Sequence, residues 1–124
     1  MATILVLDDV LDAVNLLQRI LGKKGHQVIG FTEEEEAIDH VRENKVDVAI
    51  LDIKLKKISG VEVLAELKKI DPQINVIMLT GYPTLESARE SLKLGASEYC
   101  VKPIDKDEIE EKVEKLLATK ASEG

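Results

Sequence analysis

Short apolar runs rich in β-branched residues recur along this chain, and four of them stop at a polar residue able to handle phosphate. The run at 4–7 meets Asp8 and Asp9, the run at 48–51 meets Asp52, the run at 76–79 meets Thr80, and the run at 99–101 meets Lys102 and Pro103. Runs of about four to eight such residues read as strands buried on both faces, the pattern of a parallel sheet. Ligands of open parallel sheets sit just beyond the carboxyl ends of the strands. Three carboxylates, a hydroxyl and an ammonium, far apart in sequence, are therefore expected on one rim.

Helix-periodic segments separate the runs. Between Asp12 and Lys24, Ala13, Leu16, Leu17, Ile20 and Leu21 make one apolar stripe, and Gly25 is placed to end it. A short second strand spans 27–30. Thr32 with Glu35 fits a capping box, and Glu33 to Glu36 put negative charge where a helix dipole favours it. That glutamate run reads as capping plus a solvated face, with Ala37, Ile38 and Val41 as the buried side. A third strand over 46–52 leads through a basic loop, Lys54-Leu55-Lys56-Lys57, to a helix opened by Ser59-Gly60 and closed at Asp71-Pro72. A fourth strand at 75–80 precedes a helix marked by Leu85, Ala88 and Leu92, with Gly95 at its end. A fifth strand at 98–101 leads to a last helix from about Asp105, with Glu108 in capping-box position and Ile109, Val113, Leu116 and Leu117 on one face.

This alternation predicts an α/β fold: a doubly wound, five-stranded parallel sheet of order 2-1-3-4-5 with five helices, flavodoxin-like. One domain over 1–119 is expected, with a frayed tail at 120–124. A flavin-binding flavodoxin is the main rival. It needs a Ser/Thr/Gly-rich phosphate loop after the first strand, where this chain has Asp8-Asp9-Val10, and no glycine-rich nucleotide loop occurs elsewhere.

In that strand order the first and third strands are neighbours, so Asp8, Asp9 and Asp52 meet. Any one of them alone reads best as a cap or a strand end. Three carboxylates in one cleft repel unless a cation compensates, and a hard divalent ion, most simply Mg²⁺, fits that need. Pro103 restricts Lys102 to an extended backbone, aiming its ammonium along the rim toward Asp52 and an incoming phosphoryl group. Thr80 offers a compact hydroxyl. A carboxylate nucleophile, a metal site, a cation and a hydroxyl donor together suit phosphoryl transfer through an aspartyl phosphate.

Composition removes other classes. A net charge of −7 argues against a phosphate-backbone binder, and three aromatic residues (Phe31, Tyr82, Tyr99) make a base-stacking platform a poor fit. The single cysteine, Cys100, reads as a small core residue. No apolar segment approaches the roughly 20 residues of a membrane span, and a cytoplasmic location is the default expectation.

The ordered set Asp8-Asp9, Asp52, Ser59-Gly60, Thr80-Gly81, Gly95-Ala96, Tyr99 and Lys102-Pro103 strongly resembles the receiver domain of two-component response regulators, from Ile4 to about Leu117. The stretch from Thr80 to Tyr99 is most similar to receivers of nitrogen-regulation-type transcriptional regulators. The resemblance implies a signalling phosphoacceptor rather than a turnover enzyme. Asp52 would take phosphorus from a sensor histidine kinase or phosphotransfer protein, and the domain would catalyse its own phosphotransfer and dephosphorylation. It implies Mg²⁺ bound directly by Asp9, Asp52 and the Lys54 carbonyl, and through water by Asp8. Thr80 and Lys102 would grip phosphoryl oxygens, and Tyr99 would be the switch aromatic. The surface of the fourth helix, fifth strand and fifth helix would then change its preference for a partner or output domain, with a homodimer left open. Direct nucleic-acid binding and membrane association are not implied. Leu55-Lys56 departs from the Met-Pro pair common in the family, and Val10 from a frequent polar residue. Lys54 and Tyr82 occupy the family positions that influence the lifetime of the acyl phosphate.

Two other readings compete. A phosphatase of the haloacid dehalogenase type also uses an aspartyl phosphate, but the DxD arrangement it needs after the first strand is absent. A degenerate receiver used only for protein binding is disfavoured because every required residue is present. The kinase, the output, and whether the chain stands alone or belongs to a longer regulator stay open.

Overall fold

A computed structural model describes the backbone from Ala2 to Glu123 and the side chains from Ala2 to Thr119. Its elements alternate strictly: β1 (Thr3–Leu7), α1 (Leu11–Gly22), β2 (Gln27–Phe31), α2 (Glu34–Glu43), β3 (Val48–Leu51), α3 (Gly60–Ile70), β4 (Asn75–Thr80), α4 (Leu85–Lys93), β5 (Glu98–Val101) and α5 (Lys106–Glu123). All four strand pairings are parallel, in the order β2-β1-β3-β4-β5, as the sequence predicts.

Strand alternation splits the core in two. Leu5, Leu7, Ala49, Leu51, Val76 and Met78 face α2 and α3, meeting Ala37, Ile38, Val41, Val63, Leu64 and Leu67. Ile4, Val6, Val48, Ile50, Ile77, Leu79 and Cys100 face α1 and α5, meeting Val14, Leu17, Leu21, Ile109 and Val113. Most of these side chains are fully buried; at roughly 1.5–3 kcal/mol for each large aliphatic group, this two-sided core dominates stability. Among the described residues no helix is long and apolar enough to cross a membrane.

Several local expectations need correction. The Thr32–Glu35 capping box does not form. Glu33 is the N-cap of α2 and makes no side-chain capping bond. The glutamate run is not wholly solvated either, because Glu34 is buried. It lies three, four and seven positions before Ala37, Ile38 and Val41, on the core side of the helix. β3 is two residues shorter at its start than expected, although the Asp47 amide still bonds the Thr3 carbonyl. Leu85 and Leu92 mark α4 but lie 67 % and 59 % exposed; the only buried residue of that helix is Ser91. α5 stays helical through Glu123, past the expected start of a tail. The side chains of 120–124 lie outside the described residues.

Other punctuation holds. Gly25 and Gly95 follow α1 and α4 with φ of 89° and 98°, a backbone region that costs glycine nothing. Ser59 caps α3 by accepting the Glu62 amide at 3.2 Å. The Asp105 carboxylate accepts the Glu108 amide at 3.0 Å, at the start of α5. The Lys102–Pro103 peptide bond is cis.

Candidate functional site

The ladder brings the polar strand ends together. Leu7 pairs with Leu51, and the Asp52 amide donates to the Leu7 carbonyl at 3.0 Å, so Asp8 and Asp52 leave adjacent strands side by side. Thr80 pairs with Val101, and the Lys102 amide donates to the Thr80 carbonyl at 2.8 Å. Lys102 thus leaves β5 beside Thr80, with its side chain directed back across β4 to the acidic pair.

Asp8, Asp9 and Asp52 each offer a carboxylate oxygen within 4.8 Å of the others. Asp8 and Asp52 are buried and Asp9 is partly exposed. Lys102 Nζ lies 2.7 Å from Asp8 Oδ2 and 3.2 Å from Asp52 Oδ2. Asp8 Oδ1 accepts the Val10 amide at 2.9 Å, so both Asp8 oxygens are engaged. Asp52 Oδ1 is different: it is buried without a well-formed hydrogen bond among the described residues, and the Ile53 backbone amide is the only donor besides Lys102 that acts on this carboxylate. The arrangement gathers three negative charges around one ammonium.

The titration shifts follow from that imbalance. Burial, and then the facing Asp8 charge, push the Asp52 carboxyl above its ordinary value despite the pull of Lys102. Burial alone would lower the Lys102 ammonium. Its hydrogen bond to Asp8 and the charges of Asp8 and Asp52 outweigh that, and its pKa is raised. A buried carboxylate oxygen without a donor costs free energy unless a cation or an incoming donor satisfies it. The donor set is all oxygen, which suits a hard divalent cation.

The remaining residues lie on neighbouring strand ends and loops. Thr80 is fully buried, and its hydroxyl oxygen accepts the Tyr82 amide at 3.1 Å. Lys54, two residues past Asp52, is exposed, and its ammonium sits 4.3 Å from the centroid of the Tyr82 ring. The two positions that the family resemblance links to acyl phosphate lifetime therefore touch through a cation–π contact. Tyr99 is half-buried, with its hydroxyl 2.8 Å from Ser87 Oγ. Ser87 completes the capping box of α4 with Thr84, so the phenol is tied to the start of that helix. Gly60 packs on the carboxyl end of β3. A Cβ there would collide with the Asp52 carbonyl oxygen and lie 2.7 Å from its carbon.

All seven sequence-predicted site residues lie on or near this rim, with Tyr99 facing α4 rather than the acidic cluster. Sequence reasoning missed three contributors. Glu34 accepts the amides of Lys57 and Ile58 at 2.5 and 3.0 Å, and so holds the loop after Asp52. Its helical spacing with Ala37, Ile38 and Val41 was a usable sign of burial. Ser87 carried no distinguishing signal. Gly60 was legible as a helix start but not as a packing contact. Cys100 is a free, buried core thiol, pushed up to about 11 by burial and then by Glu108.

A parallel 2-1-3-4-5 sheet with an acidic pocket and a lysine at its carboxyl edge defines a flavodoxin-like domain built around carboxylate chemistry. The family model for the response regulator receiver domain matches residues 4–114, and the chain belongs to that family. It is 36 % identical over 119 residues to sporulation initiation phosphotransferase F of Bacillus subtilis, covering 96 % of each chain. It is 36 % identical over 115 residues to the transcriptional regulatory protein ZraR of Escherichia coli, covering 93 % of this chain and 26 % of ZraR. The chain thus spans about a quarter of the length of that relative. Among solved structures, a CheY-like receiver domain protein from Methanospirillum hungatei matches with a TM-score of 0.97 at 31 % identity, over 100 % of this chain and 99 % of that one. TrrA from Thermotoga maritima, in complex with Mg²⁺-BeF, matches with a TM-score of 0.85 at 37 % identity, over 94 % and 99 %. NtrX from Brucella abortus matches at 0.91 and 29 % identity, over 98 % of this chain and 28 % of NtrX, in keeping with the nitrogen-regulation resemblance.

Proposed function

We propose that this domain is a signalling switch that accepts a phosphoryl group on Asp52 from the phosphohistidine of a sensor kinase or phosphotransfer protein. The observation that carries the reading is the buried Oδ1 of Asp52, without a well-formed hydrogen bond, in a cluster with Asp8 and Asp9, with Lys102 already bridging Asp52 and Asp8. The Mg²⁺-BeF complex of TrrA supports a divalent cation at this place.

Asp9, Asp52 and the Lys54 carbonyl would hold Mg²⁺ directly. Asp8, with both oxygens engaged, would reach it through water. When bound, the ion neutralises carboxylate and phosphoryl charge. A carboxylate oxygen of Asp52 attacks phosphorus, a P–O bond forms, the P–N bond to imidazole breaks, and the electron pair leaves on the imidazole nitrogen. Lys102 stays charged and pairs with a phosphoryl oxygen as the new acyl phosphate reduces the negative charge on Asp52 itself. The Thr80 hydroxyl, whose oxygen accepts the Tyr82 amide, is free to turn its proton toward a second phosphoryl oxygen. The Lys54–Tyr82 contact joins the two positions that the family resemblance links to the lifetime of the acyl phosphate.

Movement of Thr80 toward the phosphoryl group clears space that Tyr99 can enter, at the cost of its bond to Ser87. The α4–β5–α5 surface, where Leu85, Leu92 and Val101 are exposed, then changes its preference for an output domain or partner protein. Incubation with Mg²⁺ and phosphoramidate, read by intact mass, should add one phosphoryl group to the native chain and none to Asp52→Ala. No Mg²⁺-dependent addition, or equal addition to the variant, overturns the reading.

A further inference from the structure

Glu34 has no part in the chemistry described so far, yet it is 1 % exposed and carries a carboxylate. An ionised group is kept in such a place only when its hydrogen bonds repay its loss of water. Burial pushes the Glu34 carboxyl up, but its own backbone amide and those of Ile58 and Lys57, with the Lys57 charge, bring it below its ordinary value. The first turn of α2 adds the favourable end of a helix dipole. One carboxylate oxygen, Oε2, takes both loop amides while Oε1 is buried without a well-formed hydrogen bond, so what Glu34 holds is the β3–α3 loop.

That loop runs from Asp52 to Ser59 and contains Lys54. The Gly60 amide closes its base on the Ile53 carbonyl at 2.7 Å, with Gly60 itself pressed against the Asp52 carbonyl. Its far side is held by Glu34 Oε2 through two successive amides, Lys57 at 2.5 Å and Ile58 at 3.0 Å. Those bonds fix the chain three residues past Lys54. Lys54, Lys56 and Lys57 give the loop a positive charge that a buried anion also steadies.

We propose that Glu34 is a positioning residue for the phosphoacceptor site, clamping the Lys57 and Ile58 amides so that the Asp52–Lys54 segment is preset for a divalent cation. The inference rests on the reading of Asp52, Asp9 and the Lys54 carbonyl as the cation's ligands. Partners one step removed from a metal typically change its affinity by about 10–100-fold when they are removed. The Glu34 clamp acts through backbone, and a loss at the lower end, about 10-fold, is expected.

The test is Mg²⁺ titration of the wild type, Glu34→Met and Glu34→Gln, followed by tyrosine fluorescence, with circular dichroism as the check on folding. Glu34→Met removes the acceptor while keeping the apolar bulk, and should weaken Mg²⁺ binding about 10-fold. Glu34→Gln keeps a carbonyl oxygen for the two amides and should restore most of the affinity, a rescue that loss of general stability would not give. A folded Glu34→Met with wild-type affinity overturns the proposal, as does a Glu34→Gln as weak as Glu34→Met. Should Glu34→Met not fold, amide exchange of Lys57 and Ile58 in the wild type decides. Linkage requires saturating Mg²⁺ to slow exchange at both amides, and unchanged exchange overturns the clamp. Wild-type protein that binds no Mg²⁺ at all would instead overturn the reading of the site beneath it.

Discussion

Replacing Asp52 with asparagine should make the fold more stable in the absence of a divalent cation. Repulsion between two carboxylates 4.8 Å apart is about 3.5 kcal/mol at an effective dielectric of about 20, and Asp8 imposes at least this on Asp52. Burial of Oδ1 without a well-formed hydrogen bond adds about 1–3 kcal/mol of unmet solvation. Lys102, at 3.2 Å, returns about 5 kcal/mol on the same scale. Asp9, partly exposed and more screened, tips the balance further against the charge. These figures come to between about −0.5 and +1.5 kcal/mol, and with Asp9 added the net is about 1 kcal/mol unfavourable, in the same direction as the raised Asp52 pKa. Asparagine keeps a carbonyl oxygen for Lys102 and loses the repulsion, so thermal unfolding in EDTA at neutral pH should rise by about 4–8 °C. The sign with pH follows from linkage. A carboxyl with a raised folded pKa binds its proton more tightly in the folded state, so the wild type regains stability as pH falls through that range. The advantage of Asp52→Asn should therefore be full above the raised pKa and fade below it. Saturating Mg²⁺ should stabilise the wild type and leave the variant nearly unmoved. A lower unfolding temperature for Asp52→Asn in EDTA would refute the charge-imbalance argument.

Lys102→Ala leaves Asp8 and Asp52 facing each other uncompensated. It should cost about 2–3 kcal/mol in urea unfolding at pH 8; the loss should shrink as pH falls, because without the ammonium the Asp52 carboxyl rises further and its protonation relieves the repulsion, and should also fade at high pH as Lys102 itself loses its proton in the wild type. Gly60→Ala drives a methyl group into the Asp52 carbonyl; about 1–3 kcal/mol of destabilisation is expected, together with weakened Mg²⁺ binding in calorimetry. Ser87→Ala removes the Tyr99 partner and half of the α4 capping box. It should cost about 1 kcal/mol and shift the Tyr99 ring resonances, whereas unchanged resonances would show that the bond does not hold the phenol.

The sheet and its rim were legible because each rests on a local signal. The strand ends at Asp8, Asp52 and Thr80 follow directly from where apolar runs stop, and Lys102 from the proline after it. What the sequence hid depends on groups brought in from elsewhere. Glu34 looks like one more charge in a solvated run until the Lys57 and Ile58 amides arrive from a loop more than twenty residues on. Thr32 and Glu35 satisfy a capping pattern, but the backbone enters α2 one residue later, at Glu33. Leu85 and Leu92 have helical spacing without burial, because Ser91 turns inward toward the body of the domain and leaves the leucines outside. Periodicity reports the helix there and not the face it buries, since an exposed apolar stripe and a core stripe have the same spacing.

The central claim is that folding selects one carboxylate of the three for phosphoryl chemistry. Borohydride reduction after Mg²⁺-dependent phosphorylation converts an aspartyl phosphate to homoserine, which peptide mass spectrometry locates. Homoserine at position 52 alone is the result expected here; homoserine at position 8 or 9, or at none of the three, would contradict it.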